Sequence, residues 1–239
     1  SFNGLVVANG LRQLNIPAAT QTSTTEPLFR MRATLIHDGP YELDLVWLRR
    51  HFASADPPPE SIYGDQGARP DRETLTPAAV LVPIVARSAE FTVLFTERSA
   101  RLKDHSGQVS FPGGRSEARD ASPEATALRE TQEEIGLDPR HVELLGRLPE
   151  YRTGTRFRVT PVVGVVTPPF DLRRDAYEVE RVFEVPLTFL LDPANHQRRS
   201  REWQGELRWF FAMTYQEHTI WGATAGMLVN LYRYLAQVR

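Results

Sequence analysis

Three glutamates in the stretch Arg129-Glu130-Thr131-Gln132-Glu133-Glu134-Ile135-Gly136-Leu137 are spaced for shared chemistry. At about 100° per residue, Glu130 and Glu134 stand one helical turn apart and Glu133 lies beside them, so the carboxylates occupy one face. Such a face is ordinarily just solvated, because like charges one turn apart cost only about 0.2–0.5 kcal/mol. Its surroundings set this one apart: a rigid Phe111-Pro112-Gly113-Gly114 turn ahead of it, Asp120 between turn and helix, and Arg129 against the cluster. Hard oxygen donors at this density suit Mg²⁺ or Mn²⁺, which bind through a few carboxylates and keep positions for water and phosphate oxygens. The chemistry implied is phosphoryl chemistry.

The helix that must hold these residues has marked ends. Ser122 before Pro123 reads as an N-cap with proline at the first helical position, and Gly136 as the left-handed residue that stops the helix. Leu128, Thr131 and Ile135 form the stripe expected to be buried, which leaves the acidic face over a cleft or in solvent. The glutamates fall in the second half of the helix, near the negative end of its dipole, where carboxylates are disfavoured. A bound cation would relieve that cost.

With these residues in view, Gly114 to Leu137 resembles the Nudix box, G-x5-E-x7-R-E-U-x-E-E-x-G-U with U a bulky aliphatic, the signature of hydrolases of nucleoside diphosphates linked to another group. Two departures stand out: the first acid is Asp120, with eight residues rather than seven between it and Arg129, and Thr131 fills a U position. The upstream Leu102-x-x-His105-x-Gly107-Gln108-x-x-Phe111-Pro112-Gly113-Gly114 is similar to the additional signature of the coenzyme A diphosphatase branch, which typically carries the longer box. Further segments resemble that branch: Leu94 to Ala100, Pro149-Glu150-Tyr151-x-Thr153, Pro161 to Gly164, Glu178-Val179, Val185-Pro186-Leu187 and Ile220-Trp221-Gly222-x-Thr224. The likeness runs from about Thr76 to Leu235 and does not reach the first seventy or so residues.

The resemblance implies Mg²⁺- or Mn²⁺-dependent hydrolysis of the diphosphate of coenzyme A or its acyl derivatives, giving 3′,5′-ADP and 4′-phosphopantetheine or its acyl form. Glu130 and Glu134 are then the expected metal ligands, with Glu133 as a third ligand or the base that orients water. Arg129 is expected to brace the cluster by ion pairing. Glu178 is the candidate further acid from a later loop, with Glu180 holding a comparable claim. The substrate side draws on Arg98, Arg101, Lys103 and Arg115, which flank the motif, and on His105, Gln108 and Gly114 within it. Gly113 and Gly114 would supply backbone angles that a Cβ resists. Two other readings stay open: a Nudix hydrolase of another nucleoside diphosphate derivative such as ADP-ribose or NADH, and a non-catalytic nucleotide-binding domain, against which the three retained glutamates speak.

The 239 residues, 41% hydrophobic and 24% charged, allow one generous domain or one plus an appendage. A net charge of −2 argues against a nucleic-acid-binding surface spread over the protein, and the chain has no run of eighteen apolar residues that would span a membrane. With no cysteine, there is neither a disulfide framework nor a thiolate nucleophile, which suits the cytoplasm. The expected partner is a small-molecule substrate, and the candidate assembly a homodimer.

Residues 1–27 read as a flexible tail, with a short helix over Leu5 to Leu14 and a Thr/Ser-rich stretch from Pro17 to Pro27. Residues 28–75 read as an appendage, helical over Leu43 to Phe52, and 76–239 as the main domain. The class is α/β: the resemblance implies an α/β/α sandwich around a mixed sheet. Strands are expected at Ala78–Val85, Thr92–Thr96, Val142–Leu148, Arg156–Val166, Val182–Val185 and Glu206–Tyr215. Helices are expected at Leu187–Leu191 and from Thr224 onward.

Overall fold

Eleven residues of nearly unbroken apolar character, Thr76–Ala86, form β1, the central strand. The computed structural model describes residues 44–54, 75–101, 107–203 and 205–236. β1 runs parallel to β7 (Phe157–Val166), in register from Thr76 opposite Phe157 to Val85 opposite Val166. Every other pairing is antiparallel: β2 (Phe91–Arg98) against β1, β3 (Val109–Ser110) and β8 (Val179–Pro186), and β4 (Gly113–Arg115) against β1. β5 (Val142–Arg147) and β6 (Tyr151–Arg152) pair with β7. The mixed sheet is therefore as expected. The tail and the Leu5 to Leu14 helix lie outside the described residues.

Strand alternation divides the core in two. Ala79, Leu81 and Val85 of β1 face Ala127, Ile135 and Leu137, on and just after helix α2 (Pro123–Ile135). Ala78, Val82 and Ile84 face the other side, where they cluster with α4 (Ala223–Leu235) and α3 (Leu187–Leu191). Helix α1 (Leu45–Ser54) joins this second side through fully buried Leu48, with the Phe52 ring 4.7 Å from Tyr234 and the His51 Nε2 2.9 Å from the Tyr234 carbonyl. Val46 is 59% exposed, and Trp47 packs inward. Helices on both faces of the sheet make the α/β/α sandwich.

A break in the ladder makes room for the site. Beside β1, the register with β4 covers Ala78 to Val80 and that with β2 covers Ile84 to Ala86. Between them the Leu81 N–H reaches the Pro112 carbonyl at 2.9 Å. Pro83 falls in this gap, and by alternation its missing N–H would point to the same edge as that of Leu81. Proline is tolerated in a central strand here because the Phe111-Pro112 turn, not a continuous strand, occupies that edge. A second sheet of β9 (Gln197–Trp203), β10 (Glu206–Tyr215) and β11 (His218–Trp221) follows α3.

Candidate active site

Helix α2 starts and stops as its sequence requires. The Ser122 hydroxyl accepts from the Ala125 N–H at 3.3 Å, a cap worth about 1 kcal/mol. Gly136 takes φ 70° and its N–H returns to Gln132 O at 2.9 Å. The last carbonyls are taken by the following loop: Arg173 N–H donates to Ile135 O and Asp175 N–H to Glu134 O. Thr131 fits its buried position because its hydroxyl donates to Ala127 O at 2.7 Å, so the polar atom is satisfied within the helix.

The three glutamates meet three different environments, which corrects the expectation of a single acidic face over a cleft or solvent. Glu133 is 53% exposed at its side chain, Glu130 18%, and Glu134 is buried with Thr126, Ala127, Thr131 and Ile135. Leu128 is only half-buried, so the buried stripe is rotated toward Glu134. Two glycines allow this. A Cβ on Gly114 would lie 2.5 Å from a Glu130 carboxylate oxygen, and Gly113, at φ 151°, would drive one into Ala79 O at 2.4 Å. The Gly113 N–H donates to Glu134 Oε2 at 3.2 Å.

Burial pushes the Glu134 carboxyl up to about 8; the Gly113 N–H and the charge of Arg98 oppose this, and the charges of Glu130 and Glu178 add to it. Glu130 is also raised, chiefly by burial, with Arg129 pulling down and Glu133 and Glu178 pushing up. These influences bring Glu178 and Arg98 to the cluster although they come from the turn before β8 and the end of β2. Glu178 is tied to the site through its carbonyl, which accepts from the Ser99 N–H at 2.9 Å. Glu180 is exposed on β8, and it is Glu178 whose charge acts on both carboxyls.

The rim is built differently. Arg129 Nε and Nη2 grip both oxygens of Asp120 at 2.9 and 2.8 Å, and Nη1 reaches Glu130 at 2.8 Å and Glu133 at 2.9 Å. Nη2 also donates to Arg115 O. Asp120, its side chain nearly covered, further accepts from the Thr126 hydroxyl and the Glu117 N–H. Arg129 and then these bonds hold its carboxyl well below the usual carboxylate range. The bracing expected of Arg129 is thus a network of five bonds. Arg119, which spacing did not single out, bonds Glu117 at 2.7 Å and Glu133 at 3.3 Å. Its only sequence signal is a guanidinium in the loop between turn and helix.

Among the described residues, no three carboxylates or imidazoles are gathered as a ready metal cage. Arg129 spreads the claims on Glu130 and Glu133. The donor set nonetheless fits a hard divalent ion, since a buried carboxylate with two carboxylate neighbours has charge that only a cation or a proton removes. Arg98 is half-buried, its Nε covered and without a hydrogen bond, and Gln108 lies near Gly222. Arg101 is exposed, and so is Arg115, whose guanidinium lies 5.9 Å from the Phe157 ring centre. Lys103 and His105 lie outside the described residues.

Residues 75–218 match the NUDIX domain family model. An uncharacterized Nudix hydrolase NudL from Citrobacter koseri is 43% identical over 159 residues, covering 64% of this chain and 80% of the relative. The protein of the same name from Escherichia coli K12 is 40% identical over 163 residues, covering 67% and 84%. Among solved structures, the Mycobacterium smegmatis Nudix hydrolase RenU aligns with a TM-score of 0.41 at 21% identity, over 47% of this chain and 71% of that one.

Proposed function

The chain belongs to the Nudix family of hydrolases, which act on diphosphate bonds, and from that premise we propose that it cleaves the diphosphate of coenzyme A or its acyl derivatives. The products would be 3′,5′-ADP and 4′-phosphopantetheine or its acyl form. The observation that carries the chemistry is the buried Glu134 carboxyl, raised to about 8 beside Glu130 and Glu178 under a two-glycine turn. The choice of substrate rests on the Leu102 to Gly114 signature.

Glu134 and Glu130 would hold Mg²⁺ or Mn²⁺, with Glu133 or Glu178 completing the set. The ion would supply charge neutralisation for the diphosphate and a more acidic bound water. Glu178, exposed and with its charge acting on both Glu130 and Glu134, would be the better placed of the later acids to take a proton from an attacking water. Glu133 would have to leave Arg129 and Arg119 to do so. Arg129 acts through Asp120 and Glu130 as a positioning residue. Arg98, at the strand end with its charge acting on Glu134, would suit a phosphate oxygen, with Arg101, Lys103 and Arg115 as outer contacts. Gln108, beside Gly222, and the signature residue His105 would complete the substrate side.

Products of wild-type protein incubated with coenzyme A, acetyl-coenzyme A, ADP-ribose and NADH, in Mg²⁺ or Mn²⁺, test this. Coenzyme A turnover to 3′,5′-ADP is the expected outcome. Much faster cleavage of ADP-ribose would replace the substrate assignment, and no turnover of any of them with either ion would favour a binding domain.

A further inference from the structure

The second sheet carries a cationic and aromatic face that the carboxylate site does not use. Register puts Arg208 opposite Arg201, Phe210 opposite Arg199, and Ala212 opposite both Gln197 and Trp221. Alternation therefore sets these side chains on one side, while Met213 and Ile220 go to the core on the other. Arg199 and Arg201 are exposed, Trp221 is 38% exposed, and the Phe210 and Trp221 rings meet edge-on with centres 5.7 Å apart. Arg199 donates twice to Gln197 Oε1, at 2.6 and 3.2 Å, which props the guanidinium without neutralising it. Arg208 is half-buried and its Nε is covered without a hydrogen bond.

Neighbouring contacts connect this face to the site. Trp221 precedes Gly222, where a Cβ would stand 3.9 Å from Gln108 Nε2, and the Thr224 hydroxyl donates to Val109 O at 3.2 Å. The Gln108 carbonyl accepts from the Arg98 N–H at 3.0 Å, and the Arg98 charge acts on Glu134. We propose that the Arg199, Arg208, Phe210 and Trp221 face binds the nucleotide end of the substrate. The rings would contact the base, and the guanidiniums a phosphate additional to the diphosphate. This rests on the coenzyme A reading, whose nucleotide bears such a 3′-phosphate. A localised patch on a chain of net charge −2 suits one nucleotide better than a long polyanion.

Steady-state kinetics on coenzyme A and titration with 3′,5′-ADP or 5′-AMP, read by tryptophan fluorescence, test it. Arg199→Glu and Trp221→Ala should each raise KM at least about tenfold with a much smaller change in kcat. Trp221→Phe should recover most of the loss. Wild type should bind 3′,5′-ADP more tightly than 5′-AMP, and Arg199→Glu should erase the difference. If wild type cleaves coenzyme A and both variants keep its KM, the face is not the nucleotide site, while the coenzyme A reading stands. If coenzyme A is not cleaved yet 3′,5′-ADP binds through Arg199, the substrate reading fails and the face keeps its nucleotide. Binding of a short single-stranded oligonucleotide that depends on Arg199, with an unmoved KM, would overturn the proposal in favour of nucleic acid.

Discussion

Glu133 and Glu134 are adjacent in sequence and opposite in circumstance. Glu133 stands at the rim, half-exposed, between two guanidiniums, at 2.9 Å from Arg129 and 3.3 Å from Arg119. Glu134 lies on the floor, buried, with a single backbone N–H at 3.2 Å and two like charges nearby. The protein supplies hydrogen-bonded counter-charge at the rim and gives the floor only the more distant charge of Arg98, which burial and the two like charges outweigh. A carboxylate neutralised by its own protein is poor at holding a metal, whereas one denied such neutralisation draws either a proton or a cation. On the proposed reading, the pair would separate bracing from binding within one helical turn.

The largest effect expected from this contrast is on activity. Glu134→Gln should lower kcat by at least about a hundredfold with the fold retained, whereas Glu133→Gln should cost about tenfold or less. Equal losses in diphosphate-cleavage assays would erase the distinction between floor and rim. Next comes Gly113→Ala, where a Cβ would meet backbone atoms of Ala79 and Val80 at 2.4 and 2.5 Å, and neither can rotate away. It should cost about 2 kcal/mol or more in denaturant unfolding. Gly114→Ala meets a side chain instead, the Glu130 carboxylate, so it should spare stability more than metal affinity. Arg129→Lys removes the two-pronged grip on Asp120 and should lower Tm by several degrees with activity down about tenfold; an unchanged Tm would mean that the network is ornamental.

Metal-free protein offers a test by pH. The Glu134 carboxyl is raised from near 4.5 to about 8, so the folded state keeps a proton that the unfolded state has released. The stability due to this proton is fully present below about pH 4.5 and is lost as pH rises toward 8, by at most about 1.4 kcal/mol per pH unit. In chelator, Glu134→Gln should therefore show a flatter stability profile across this window than wild type. Saturating Mg²⁺ should restore the wild type at the alkaline end. Parallel profiles in chelator would mean that the floor is more open to water than its burial indicates.

How much of this was legible in the sequence depended on where the information lay. The caps of α2 and the strands at β1, β2, β7 and β10 could be read because apolar runs and Ser-Pro and Gly signals are local; Glu206–Tyr215 and Leu187–Leu191 end where expected. β9 was missed because Gln197-Arg198-Arg199-Ser200-Arg201-Glu202, all but its last residue, is polar, an exposed stretch held by its pairing with β10 rather than by burial. Within the site, helical spacing put the three glutamates on one face and missed that Glu134 is buried while Glu133 is exposed. It could not rank them, since their difference comes from β4 passing beneath Glu130 and Glu134 and from two arginines outside the helix stripe. Glu178 was placed by resemblance; its influence on both carboxyls depends on the turn before β8, which no local pattern encodes.

The smallest expected effect bears most finely on the contrast between rim and floor. Arg119 is 62% exposed, and its bonds to Glu117 and Glu133 are screened by solvent, so Arg119→Ala should leave Tm within about 2 °C. Its influence on metal dependence has a sign that discriminates. If Glu133 serves as a ligand, Arg119 competes for its oxygen, and removing it should lower the half-saturating Mg²⁺ concentration by about twofold. If Glu133 only completes the rim, the Mg²⁺ dependence should not move. A rise instead would mean that Arg119 holds Glu133 in the geometry the ion requires, which would make the rim part of the binding site and reduce the contrast with Glu134 to one of degree.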